Sequence, residues 1–310
     1  MEKRHIKTIY QCHAELGIAK PKHPLFSILK FEELPTVKLE TKTKLIFDYY
    51  QIVFKRNCSN KLIYGQTSYD FDEGVMSYFS PRQISIAEPG VLLPESGWTI
   101  NLSPDFLSGY PLGSKISRYG FFDYAVHEAL ILSEEEELVM ENILQQIWTE
   151  YHLPIDQFSQ DVVVSNLELL LTYSNRYYNR QFVVRKPTND TLLSKFEQLL
   201  TNYIEHEIGE KGLPSVHYFA NELNLSDKYF SDLLKQHTGL PAQQHIHEKL
   251  IAKAKVLLST TDLTVSEIAY ELGFEYSQSF SNLFKSKTKQ TPLAFRAGFK
   301  LVGEPLRKLS

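Results

Sequence analysis

The sequence predicts an α+β protein: a small N-terminal β-barrel with two long helices after it, then an all-α C-terminal domain. Three observations predict it. Short apolar and aromatic runs alternate with turn residues from Leu45 to Leu102, helical periodicity takes over at Ser133, and beyond Asp190 one pattern of two short helices occurs twice. A chain of 310 residues exceeds the usual single-domain size of about 100–200, so two domains are expected. With 43% hydrophobic and 23% charged residues, each has enough apolar surface for its own core.

Composition also excludes classes. No run approaches the roughly 18 apolar residues of a membrane-spanning helix, and Met1–His5 leads into no apolar signal-peptide core, so a cytoplasmic protein without membrane contact is expected. Cys12 and Cys58 are too few for a disulfide framework and are read as free thiols. The net charge of −4 argues against nucleic acid, but it is an average. Residues 228–308 carry 12 Lys+Arg against 7 Asp+Glu, so the C-terminal segment can approach a polyanion.

In the N-terminal part the expected strands are Ile46–Phe54, Lys61–Tyr64, Ser68–Phe71, Met76–Phe79 and Ile84–Ala87. Gly, Pro, Asn and Asp break them at Asn57–Asn60, Asp72–Gly74, Pro81, Pro89-Gly90 and Pro94–Gly97. Ser133 and Glu136 form a capping box, and Glu134–Glu137 face the positive end of the helix dipole. Leu138, Ile143, Leu144, Ile147 and Trp148 recur on one face of that helix. A second helix, about Gln157–Tyr178, carries Val163, Leu167, Leu170, Leu171 and Tyr178. Such a pair either covers the barrel or joins a second subunit. The polar stretch Asn179–Thr188, with Lys186-Pro187, reads as a linker.

The C-terminal repeat is more specific. Val216, Phe219, Ala220 and Leu223 sit at i, i+3, i+4, i+7, and Val265, Ile268, Ala269 and Leu272 repeat the pattern 49 residues later. Each alanine is small enough to let a second helix cross closely. The turns Leu223-Asn224-Leu225 and Leu272-Gly273-Phe274 match, with Asn or Gly where the chain takes positive φ. The second helices align after one inserted residue: Phe230, Leu233, Leu234 and Lys235 against Phe280, Leu283, Phe284 and Lys285. Ser226 caps one of them, and Thr264 with Glu267 makes a capping box for the other unit. Pro241 opens a spacer helix, Ala242–Ser259, about 27 Å long at 1.5 Å per residue. That rod suits two recognition helices about one DNA turn apart, roughly 34 Å.

Ile268-Ala269, Leu272-Gly273-Phe274, Ser279-Phe280-Ser281, Phe284-Lys285, Thr291-Pro292 and Phe295-Arg296 resemble the tandem helix-turn-helix domain of the AraC/XylS family of bacterial transcription regulators, over about Leu192–Phe299. The resemblance implies a cupin-like barrel that senses an effector, a helical dimerisation pair, and a transcription regulator, activator or repressor according to where on the promoter it binds. Its implied partners are double-stranded DNA, a second copy of the chain, a small-molecule effector and RNA polymerase. The chain is expected to divide into residues 1–180, a linker 181–190, a DNA-binding domain 191–300 and a tail 301–310. Lys289 departs from the family's usual Gly, Lys249 from a common Arg, and Asp232 from a long basic or polar residue.

The apolar positions of each second helix face inward, so the opposite face carries any DNA contacts. Gln278 and Asn282, four apart, have amides that match N6 and N7 of adenine. With Tyr276, Ser277, Ser281, Ser231 and Asp232 they are the expected base readers. Lys228, Lys235, Lys285, Lys287 and Arg296 are expected on phosphates, which supply affinity without sequence information.

The alternative is a barrel enzyme or ligand-binding module with a helical oligomerisation tail. Against it, residues 45–102 contain no histidine, and His245 and His247 diverge by about 200° on a helix, too far to chelate one ion. No nucleophile elbow or phosphate-cradling Gly loop occurs, so no enzyme, metal or cofactor is expected. Tyr50, Tyr64, Tyr69 and Trp98 are candidate effector-pocket liners, although core packing explains each equally well.

Overall fold

The computed structural model describes residues 2–35, 40–56, 62–64, 67–69, 74–87, 89, 96–184 and 186–300. It divides into two compact units, Met1–Val184 and Arg185–Ser310.

The first unit is built on strands β1 (Glu2–Ile6), β2 (Phe26–Lys30), β3 (Thr43–Phe47), β4 (Tyr50–Arg56), β5 (Leu62–Tyr64), β6 (Thr67–Tyr69), β7 (Val75–Phe79), β8 (Ile84–Ala87), β9 (Ser96–Leu102) and β10 (Leu130–Ile131). Among the described residues they form a five-stranded sheet ordered β10-β7-β4-β9-β2, a three-stranded sheet β1-β3-β8 and a pair β5-β6; no single ring of strands closes. The class is α+β, as expected, but β1 and β2 lie before the region in which strands are expected. The run Ile46–Phe54 is not one strand. It breaks at Asp48-Tyr49, where Asp48 bonds His5 at 2.8 Å and the chain passes from one sheet to the other. Tyr49 packs there with Ile6, Ile9 and the free, buried Cys12.

Register decides what each sheet face does. Opposite residues in an antiparallel pair share a face, so pairing Phe54 with Trp98 and Ile52 with Ile100 places these with Phe26, Ile28, Met76 and Tyr78 on one buried apolar face. Two long helices cover it: α3 (Glu134–His152), after the short α1 (Ile9–Glu15) and α2 (Pro111–Lys115), and α4 (Ser159–Val184). Trp98 donates to Glu141 of α3 at 3.1 Å, and Tyr78 donates to Ser174 of α4 at 2.6 Å. The Ser133–Glu136 capping box forms.

The opposite face of the sheet carries a polar row, buried at Ser27 and Asn101 and half-buried at Gln51. Ser27, Asn101 and Gln51 stand side by side across β2, β9 and β4. Gln51 donates to Asn101 at 2.9 Å and Asn101 donates to Ser27 at 3.2 Å, with Thr99 and Ser77 in the next row.

The polarity that reads as a linker is helical: α4 continues to Val184 and the next helix begins at Lys186. Gln181 is the reason. Its side chain is buried, accepts from Ile131 N at 2.9 Å and donates to Ala129 O at 3.2 Å, pairing the backbone of β10 as a neighbouring strand would. Tyr178 and Phe182 are buried beside it on the helix.

The second unit is helical: α5 (Lys186–Asn202), a π-helical turn Tyr203–Glu207, α6 (Ile208–Lys211), α7 (Val216–Glu222), α8 (Asp227–Thr238), α9 (Ala242–Thr260), α10 (Val265–Glu271), α11 (Ser277–Thr288) and α12 (Pro292–Lys300). It has two cores, and α9 serves both. Ala242, Ile246 and Leu250 enter a cluster with Phe196, Phe219, Ala220, Phe230 and Leu234, while Ile251, Ala254, Leu257 and Leu258 enter another with Ile268, Ala269, Phe280 and Phe284. Among the described residues no helix is long and apolar enough to cross a membrane.

Candidate nucleic-acid interface

Each half of the second unit positions one exposed helix by the same local means. Ser215 caps α7 and Ser226 caps α8, each hydroxyl accepting the backbone N–H three residues on. Thr264 and Glu267 form the expected box at α10. Between the helices the chain turns through positive φ, +55° at Asn224 and +76° at Gly273. The next residue folds back equivalently: Leu225 N bonds Ala220 O at 2.8 Å and Phe274 N bonds Ala269 O at 2.9 Å. Ala220 and Ala269 are wholly buried at the helix crossings. The spacer α9 has 19 residues, so it is about 28 Å long.

On α11, Gln278, Asn282, Lys285 and Lys287 are exposed, Ser277 and Ser281 are half-buried, and Tyr276 stands out at 68% exposure. The two amides meet: Gln278 Nε2 donates to Asn282 Oδ1 at 3.1 Å. That bond orients both while leaving Asn282 Nδ2 and Gln278 Oε1 for a base edge. No carboxylate lies within α11.

The equivalent face of α8 is mixed. Lys228 and Lys235 are exposed and Ser231 and Asp232 half-buried, but Lys228 donates to Asp232 at 2.9 Å. An exposed i, i+4 pair contributes only about 0.3–0.5 kcal/mol, so a phosphate can draw Lys228 away, while the Asp232 charge stays behind. Asp227 at the first turn is held by His217 at 3.0 Å.

The helix-turn-helix family model matches residues 219–298. The transcriptional activator RhaS of Salmonella schwarzengrund is 33% identical over 135 residues, 44% of this chain and 47% of that one. The C-terminal unit carries a helix-turn-helix domain of the AraC type. The chain spans about half the length of the curated relatives that it matches. Among solved structures, the C-terminal domain of the response regulator yesN from Fusobacterium nucleatum is 34% identical, covering 32% of this chain and 96% of that one at a TM-score of 0.29. Unsaturated fatty acid bound ToxT from Vibrio cholerae is 15% identical, covering 93% and 100% at 0.30.

Within this AraC-type unit one expected phosphate contact is corrected. Arg296 turns inward: its Nε donates to Leu258 O at 3.2 Å near the C-terminus of α9, and its Nη2 is buried. The last carbonyls of a helix lack intrahelical partners, so a guanidinium is well used there. Lys287 is exposed, but its charge also reaches His247 of α9, whose pKa lies below the usual imidazole value, first through burial and then through Lys287. His247 was not among the expected contacts because its neighbour on α11 is forty residues away. Lys289 takes the left-handed conformation, φ +64°, that Gly239 takes after α8 at +81°, so the departure from Gly leaves the helix stop intact.

The effector-pocket expectations fare differently. Trp98 is buried on the helix-covered face, with the Lys30 ammonium 4.7 Å from its ring. Tyr50, on the same face, packs edge-on against Phe122 at 5.0 Å. Both pack on the side covered by the helices, because even-numbered positions of β4 and β9 face them. The side chains of Tyr64 and Tyr69, on β5 and β6, lie outside the described residues.

Proposed function

We propose that the chain is a sequence-specific, DNA-binding transcriptional regulator, acting in the cytoplasm as a homodimer and answering to a small molecule in its N-terminal unit. The observation that carries the DNA reading is the outer face of α11, where Gln278 and Asn282 stand paired and exposed above Lys285 and Lys287 on a helix without a carboxylate. Amides suit base edges and lysines suit phosphates. The test is a binding titration of the gene's own upstream duplex against a shuffled duplex at several salt concentrations. Affinity for both falls with salt, by a slope of about −0.9 for each phosphate neutralised, and the upstream duplex is preferred throughout. Indifference to salt and to sequence would sink the proposal.

The dimer reading rests on α4. Phe158, Val162, Ser165, Leu169, Thr172, Arg176, Asn179 and Val183 follow alternating steps of four and three residues, and Phe158, Val162, Leu169 and Val183 are each at least 40% exposed. A 3.5-residue stripe left open on a long helix, with apolar side chains at four of its eight positions, fits a second copy of itself. Leu169→Asp places a charge in that seam and is expected to convert dimer to monomer by sedimentation velocity, with helicity unchanged. A dimer of undiminished stability would remove α4 from the interface.

The row Ser27–Asn101–Gln51, buried at its first two members and half-buried at the third, supports effector sensing, since polar side chains gathered on a sheet face suit a polar ligand better than a dry core. Repeating the titration with and without cell extract tests it: a shift in affinity is expected, and none in any growth condition counts against an effector.

A further inference from the structure

The turns of the two helix-turn-helix units are built alike but filled differently, and the difference has a cause outside the turn. Asn224 holds the first turn in the left-handed region, so an Asn suffices there. Gly273 holds the second, and a Cβ at this position would lie 2.7 Å from Gly212 C and 2.8 Å from Leu213 N. Those atoms belong to the loop that leads from α6 towards α7, in the other half of the unit. They are backbone, which cannot swing aside as a side chain can. The loop is itself fixed: Gly212 N bonds Ile208 O at 2.9 Å, and Tyr203 Oη, from the first core, donates to Gly212 O at 3.3 Å.

We infer that Gly273 is a positioning residue, whose backbone contact with Gly212-Leu213 acts as a second strut beside α9 and sets the angle between the two DNA-reading helices. A single helix bridging two cores leaves them free to twist about its axis and to bend with it. A second contact off that axis removes this freedom before DNA arrives, and the ordering cost on binding two successive grooves falls accordingly. The consequence for DNA rests on the proposal above; the geometry does not, and the two are measured separately.

Nitroxide labels at Gln236→Cys and Ser286→Cys, exposed sites on α8 and α11, report the distance between the reading helices by pulsed electron resonance. The full chain is used, with Cys12→Ala and Cys58→Ser and an excess of unlabelled chain to suppress distances between subunits. A narrow distribution is expected for the parent. Gly239→Ala also strains a left-handed residue, at φ +81°, but its Cβ meets nothing within 4 Å, so its distribution stays narrow. Gly273→Asn keeps a residue the turn accepts yet drives a Cβ into Gly212-Leu213. Its distribution broadens and shifts with helicity retained, and affinity for a duplex engaging both helices drops about 10-fold or more. Should Gly273→Asn fail to fold, one glycine inserted between Gly212 and Leu213 breaks the strut from the other side and leaves the turn untouched. A distribution as narrow as the parent's in whichever variant folds overturns the inference. Broadening without any DNA affinity in the parent would leave the strut standing and remove its use in reading DNA.

Discussion

Asn282→Ala lowers affinity for the chain's preferred sequence by about 10- to 100-fold and leaves affinity for shuffled DNA within error. The estimate follows from the roughly 1–3 kcal/mol that one bidentate amide–adenine pair contributes to discrimination. Asn282 is exposed on α11, and its carboxamide is oriented by the 3.1 Å bond from Gln278. Truncation removes both the reading group and the partner that holds Gln278 in place, so Gln278→Ala and the double variant should lose less than the sum of two independent changes. Lys285→Ala is the contrast. It weakens preferred and shuffled duplexes alike and lowers the salt slope by about one. Competition binding at fixed salt distinguishes the patterns, and equal losses on both duplexes for Asn282→Ala would contradict base reading.

Phe280→Ala destabilises the second half of the C-terminal unit by about 3–5 kcal/mol, the usual cost of emptying a fully buried aromatic site. Phe280 is wholly buried, with Phe274 and Phe284 rings 5.5 and 5.8 Å away, and it is the side chain that seats α11 on Ile268, Ala269 and the end of α9. Because α9 contributes separate residues to the two cores, the loss should be uneven. Hydrogen exchange is expected to quicken across α10, α11 and α12 and to change little across α7 and α8. Phe230→Ala should give the reverse. Uniform acceleration over the whole unit for either variant would mean one cooperative core instead of two.

The features legible in the sequence were those with a short range. Capping residues, the positive φ of the two turns at Asn224 and Gly273, the paired alanines and the apolar stripes all act within about a dozen residues, although the choice of Gly over Asn at 273 answers to the distant Gly212-Leu213 backbone. What escaped was set by distant partners. Gln181 looks like linker polarity until β10 is seen to need its amide. Arg296 looks like a phosphate ligand until Leu258 O, thirty-eight residues earlier, is found to claim it. Tyr50 and Trp98 were plausible liners because composition cannot tell the two faces of a sheet apart. Only the register of β4 against β9 places them towards α3 and α4, and puts Ser27, Gln51 and Asn101 on the other side. In the same way α8 and α11 align well as helices, yet Asp232 and its bond to Lys228 make their outer faces electrostatically unequal.

Hydroxyl-radical footprinting of the full chain on its own upstream DNA tests the central claim most directly. Two reading helices joined by α9 and held at one angle should protect two short segments on the same face of the duplex, centred about one helical turn apart, with the segment read by α11 the more strongly protected. Protection of a single continuous stretch, of segments on opposite faces, or of none would contradict it.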